Sequence, residues 1–281
     1  MELISLFFLT ICSGLISSLN LSLIGAQLAS RGQSVQSMVL AVGMSLGIIL
    51  TMGLTHNLDE QHTFHLLPIL GGIFFGISLL LLTQLIAKKI QGNKSSYFIS
   101  IYAILLALTH LVTNIIPGLE THMAQNYFGD IAVMNDEENY INLFVSGFSL
   151  IVLLKFWKKI SFVSFQTAIF GGSYWQLGSK KVNWIFWFFS ILILIMSIHF
   201  LGFLFSLALL FIPSALLMKK DKSLRLFTGQ LLLLSAISEI TGFLVSLYFG
   251  NLPTTPVIIL ALLFWALVFN FLERIYYLRR H

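Results

Sequence analysis

Apolar residues in this chain neither alternate nor recur at a 3.6-residue spacing; they run almost unbroken for stretches of about 20 residues between short polar segments. Runs of that kind suit helices that cross a bilayer, because a helix satisfies its own backbone hydrogen bonds where water is absent. A transmembrane barrel would instead show short alternating segments. The pattern predicts nine spans, over Ile4–Leu28, Ser34–Thr55, His65–Ala87, Tyr97–Pro117, Tyr140–Leu154, Val182–Phe200, Gly202–Met218, Leu226–Phe249 and Pro256–Tyr276. The fifth is short and can extend toward Trp157. Between the sixth and seventh, His199–Gly202 leaves almost no loop, so a sharp turn or a protein-lined re-entrant segment is the alternative to a simple hairpin. The longest stretches outside the spans, an external Gly118–Asn139 and an internal Trp157–Lys181, are too short to fold alone. Residues 1–281 therefore read as one all-α, polytopic transmembrane domain.

Composition agrees with this reading. Hydrophobic residues are 57% of the 281 and charged residues 10%, with mean hydropathy +0.92, whereas a soluble domain carries about 25% charged residues. The N-terminus lacks the basic flank of a cleaved signal peptide, so the first apolar run reads as a retained helix. Cys12, the single cysteine, forms no intrachain disulfide and reads as a small apolar side chain.

Charge adds orientation. With the N-terminus outside, all 16 basic residues fall in inside segments: Arg31; Lys88, Lys89 and Lys94; Lys155, Lys158, Lys159, Lys180 and Lys181; Lys219, Lys220, Lys222 and Arg225; Arg274, Arg279 and Arg280. The acids Glu2, Asp59, Glu60, Glu120, Asp130, Asp136, Glu137 and Glu138 fall outside. This is the positive-inside distribution, and one misplaced span would scatter it. The net charge of +5 is thus a topology signal and does not imply nucleic acid as a partner.

No phosphate loop, Cys-x-x-Cys pair, zinc-protease motif or nucleophile elbow occurs, so the chain reads as a non-enzyme without its own ATPase motif. Polar groups inside the membrane are costly and mark candidate sites. Glu239 is the acid placed well inside a span, readable as a metal or proton site or as a structural carboxyl facing the bundle interior. His110 and Asn114 share one helix face and line a path or bond between helices. The external loop from Thr55 gathers His56, Asp59, Glu60, His62 and His65, a donor set that suits zinc, manganese or iron and is equally readable as a solvated loop. Gly43 with Gly47, and Gly72 with Gly76, have the spacing that lets helices approach closely.

Three segments, in order, resemble the permease subunits of bacterial ABC importers for zinc, manganese or iron(II), in the zinc-uptake permease branch. Tyr127-Phe128-Gly129-Asp130, followed by Asp136-Glu137-Glu138, is similar to the family's LFGD segment. Leu201-Gly202-Phe203-Leu204 through Ala208 to Pro213-Ser214-Ala215 is similar to its VGxLL…ALLxxPAA helix. Gly242, Ser246 and Asn251-Leu252-Pro253-Thr254-Thr255-Pro256 resemble its GLxxSxxxDxPxGP stretch. Internal Ser164–Gly172 is similar to the cytoplasmic SFDPxxAxxxG segment that docks onto the ATPase, with Gln166 in place of the family acid. The resemblance implies Phe165, Gln166, Ala168 and Gly172 as coupling residues.

In the second span, aligning Gly43 and Gly47 with the family's GxxxG places Ser34 and Met38 where metal permeases carry an Asp and a His. The resemblance implies a permease without a cofactor of its own, ATP being bound by a partner ATPase. It also implies an extracytoplasmic substrate-binding protein, a second copy of the chain, and the bacterial inner membrane, with the N-terminus outside and the C-terminus cytoplasmic. The rivals are a cobalamin- or siderophore-type permease, and a stand-alone secondary transporter using Glu239 and His110 for proton coupling.

Overall fold

The computed structural model describes residues 7–55, 66–89, 94–116, 119–129, 134–170, 177–217, 223–250 and 252–278. Among these the regular structure is helical, with no strand. The helices are α1 (Phe8–Ser30), α2 (Ser34–Thr55), α3 (Leu66–Lys89), α4 (Lys94–Ile115), α5 (Leu119–Phe128), α6 (Asp136–Phe170), α7 (Leu177–Leu201), α8 (Phe203–Leu217), α9 (Leu224–Phe249) and α10 (Thr254–Leu278). Eight are long and apolar enough to cross a membrane, and α8 is a shorter apolar helix. These nine correspond in order to the nine predicted spans.

Two differences from the predicted layout matter. The external stretch Gly118–Asn139 is not all loop, because it contains α5, ten residues long. The fifth span is also not short. A single 35-residue helix, α6, runs from Asp136 through the lysines to Phe170. Nothing between Phe148 and Phe170 breaks it, since no glycine or proline occurs there and Gly171-Gly172 comes only after its end. At about 52 Å it exceeds the roughly 30 Å hydrocarbon core, so its end projects. Its start is fixed by acids in the first turn and by the Asn135 backbone N–H donating to the Glu138 carboxylate at 3.0 Å, both favourable at a helix N-terminus.

The bundle is organised around α1, α2, α7 and α8, which carry most of the buried apolar side chains. Helix α1 packs on α6, α8 and α9, while α2 packs on α3, α4 and α7. Small residues set the closest approaches. Gly25 of α1 lies against the Leu210 backbone of α8, and a Cβ on Gly47 of α2 would sit 2.7 Å from the Gly71 carbonyl of α3. Gly43 faces Leu79, Gly72 faces Ile195 and Ile48, and Gly76 faces Met44, so both glycine pairs serve helix packing.

Helix direction can be read from side-chain pairs. Contacts of α1 with α6 ascend together, from Ser13–Asn139 to Arg31–Ser164, so the two are parallel. Contacts of α1 with α9 run oppositely, Ser22 meeting Ser235 and Phe7 meeting Phe243, so these are antiparallel. Both relations agree with the alternation that the charge pattern predicts.

Candidate functional site

The three sequence segments that carry the resemblance meet at one place. Gly202, with φ +94°, makes the turn between α7 and α8, and a Cβ there would lie 2.7 Å from the Gly129 nitrogen, at the end of α5. Gly129, with φ +56°, lies in turn on the Leu201 carbonyl. The third segment reaches the same carbonyl, which accepts from the Thr255 hydroxyl at 3.4 Å. Helix α5 is held at this depth by Asn126, buried, whose amide donates to Ser45 in the middle of α2 at 2.7 Å. Tyr127 stacks between Phe203, at 5.3 Å, and His110, at 6.2 Å. A short helix at bilayer depth is stable only against protein, and these contacts supply it.

The intramembrane candidates do not form one cluster. Glu239 is 1% exposed in α9, and among the described residues neither carboxylate oxygen has a hydrogen-bond partner. It lies one turn beyond Ser235, which bonds Ser22 of α1. Ser34 opens α2 and Met38 lies one turn further, both half-buried; beside them Gln36 donates to Thr83 of α3 at 2.9 Å. His110 and Asn114 are exposed on α4, in a stripe with Ser100, Ala103 and Ala107. His56, Asp59, Glu60, His62 and His65 lie outside the described residues. Among the described residues, no three His, Cys, Asp or Glu side chains are placed to share a metal ion.

At the other end of the bundle, the projecting end of α6 shows an apolar stripe. Phe162, Phe165 and Ile169 are 60%, 62% and 55% exposed, at the spacing of one helix face, and Ala168 beside them is exposed. Gln166 is half-buried, and Gly172 lies outside the described residues. The opposite face is anchored. Ser164 donates to Gln27 at 2.6 Å and Gln27 donates to Ser161 at 2.9 Å. Arg31, 6% exposed, donates through Nε to Ser164 at 2.8 Å and through Nη1 to Asn183 of α7 at 2.7 Å, with its guanidinium 4.0 Å above the Phe186 ring. Burial pulls the Arg31 guanidinium down to about 9, which still leaves it charged at neutral pH.

Sequence reasoning that singled out Glu239, His110 and Asn114 inside spans missed Asn20, Gln27, Arg31, Asn126, Asn139 and Asn142, all buried. Their signal was available as amides and a guanidinium next to or within apolar runs, which must find partners in the bundle.

Among the described residues ten helices, eight of them long and apolar enough to span a bilayer, define a multi-pass helical membrane protein. The chain matches the ABC 3 transport family over residues 5–273, and it belongs to that family. The structure of PsaBC from Streptococcus pneumoniae in complex with Fab is similar, with a TM-score of 0.72 and 18% identity, covering 92% of this chain and 88% of that one. A metal-chelate type ABC transporter in an inward-facing conformation gives 0.67 and 17%, covering 94% and 84%. Identities this low establish a common fold. No curated protein matches the chain.

Proposed function

We propose that the chain is the permease subunit of a bacterial ABC importer for a divalent metal ion, zinc, manganese or iron. In this reading it works as a homodimer in the inner membrane, with two ATPase subunits on the cytoplasmic side and a substrate-binding protein outside. It performs no bond chemistry; ATP is bound by the partner. The observation that carries the coupling half of the reading is the Phe162–Phe165–Ile169 stripe on the projecting end of α6. An exposed apolar helix face with lysines at its base suits a groove on another protein, and it coincides with the segment that resembles the family's docking element. The stripe of Ser100, Ala103, Ala107, His110 and Asn114 suits a second copy, because polar groups at bilayer depth need protein cover.

Ala168→Glu tests the docking. It adds volume and an unpaired charge to the stripe and should abolish co-purification with the ATPase while leaving insertion and yield unchanged. Undiminished association would overturn the assignment. A metal-chelate cargo is the second reading, favoured by Ser34 and Met38 standing where the resemblance expects an Asp and a His. A chelated metal brings its own ligands, so a hydroxyl and a thioether suffice along its path. Uptake of radioactive zinc, manganese and iron(II), each with and without a chelator, separates the two.

A further inference from the structure

We propose that the groove between α3 and α7 is a binding site for one anionic phospholipid, whose acyl chain fills the groove and whose phosphate is held by Lys89, Lys180 and Lys181 at its mouth. The site does not depend on which cargo the chain moves.

The groove has a volume of about 150 Å³, and every residue lining it is apolar. Leu80 and Trp187 form its buried floor, while Ile77 and Leu81 of α3 and Trp184 and Phe188 of α7 form exposed walls. The two helices touch at one end, where a Cβ on Gly72 would meet the Ile195 side chain. They run in opposite directions by the charge alternation, so moving away from this contact leads to lysines on both. Lys89 is 17 residues from Gly72 and Lys181 is 14 from Ile195, about 25 and 21 Å of helix, which brings the lysines to nearly one level. All three are exposed, and neither α3 nor α7 contains an acid.

Depth fits a lipid chain. Trp184 lies one turn inside Lys180 and Lys181, where an indole is favoured at the membrane interface. From Trp184 to Leu192 the groove extends about 12 Å along α7, most of the roughly 15 Å that one leaflet gives the hydrocarbon core. A second helix is a poor occupant. Membrane helices associate through small residues and interhelical hydrogen bonds, since lipid tails are as apolar as leucine, and the lining offers neither. An acyl chain needs no polar partner, and a basic cluster where the groove meets the headgroups attracts a phosphate that carries net charge. A phosphatidylcholine shares the chain but is neutral, so it lacks that second half of the interaction.

The test reads tryptophan fluorescence of the purified full chain in phosphatidylcholine vesicles that contain brominated phosphatidylglycerol or brominated phosphatidylcholine. Acyl-chain bromine quenches an indole it touches, and the Trp184 share is the difference between the wild type and Trp184→Phe. Half-maximal quenching of that share should need at least about fivefold less brominated phosphatidylglycerol than brominated phosphatidylcholine. Lys89→Gln, Lys180→Gln and Lys181→Gln together should bring the two lipids within about twofold of each other. Lys155→Gln, Lys158→Gln and Lys159→Gln together, which remove as much charge from the α6 end, should leave the preference intact. If the first triple variant does not accumulate, Lys181→Gln alone should at least halve the preference. Equal quenching of wild-type Trp184 by both lipids means ordinary boundary lipid and overturns the site. So does a preference that survives the loss of its lysines, or one that either triple variant abolishes equally. Absence of Trp184 quenching by either lipid would mean that protein covers the groove, which also overturns it.

Discussion

Gly202 and Gly250 both have positive φ, +94° and +67°, but only Gly202 has backbone against it; around Gly250 there is open space. Alanine at a positive φ costs about 1 kcal/mol or more. Gly250→Ala should therefore lower stability by about 1 kcal/mol. Gly202→Ala must also displace the Gly129 backbone, and should cost about 3 kcal/mol or fail to accumulate. Thermal melting in detergent compares the two, and equal losses would mean that the α5 contact contributes nothing. Glu239 and Met38 make a second pair. Glu239 is buried in α9, and among the described residues neither of its oxygens has a hydrogen-bond partner, so on the proposed metal-permease reading Glu239→Gln should lower metal uptake at least tenfold with melting unchanged. Met38→Leu nearly conserves volume and should leave uptake within about twofold. The reverse result would move the pathway from α9 to the start of α2.

At the scale of elements, α6 and α5 show what apolar patterning registers. Hydropathy ended the fifth span at Leu154 because lysines follow, yet lysine is a good helix former and its stem can extend to the membrane surface while the backbone continues as helix. The information that α6 continues was present as the missing glycine and proline. Helix α5 was illegible for a different reason: Leu119–Phe128 is too short and too polar to register as a span, and it is held in place by partners distant in sequence, Ser45 and the Gly202 turn. Lys158→Pro tests the continuity of α6, since a buried or exposed proline inside a helix costs about 3 kcal/mol and frees a carbonyl. Amides 160–170 should exchange at least tenfold faster while 140–154 stay protected. Unchanged exchange at 160–170 would show that the projection does not depend on the span below it.

For the whole molecule, composition and basic-residue segregation were enough to expect the number and alternation of membrane helices, since both follow from transfer energetics acting on each segment alone. Which polar groups meet was not legible, because Asn139 finds Ser13 and Arg31 finds Asn183 only once the helices are packed. Absolute orientation is testable directly. In a Cys12→Ser background, Asp59→Cys and Asp136→Cys should react with an impermeant thiol reagent in intact cells, and Asn93→Cys and Ser179→Cys should not. Labelling of the second pair would invert the topology.

The shortness of α8 bears on how the chain is made. Fifteen residues give about 22 Å of helix, less than the roughly 30 Å of hydrocarbon, so α8 leaving the ribosome by itself is a poor candidate for release into lipid. With Gly202 as the tip, α7 and α8 can enter as one hairpin, the longer arm carrying the shorter. The Gly129 and Thr255 contacts can close only after α5 and the last helix have been synthesised on either side of it. The turn is thus assembled from parts made at three different times, and in a chain stalled before α10 it should still lack the Thr255 contact.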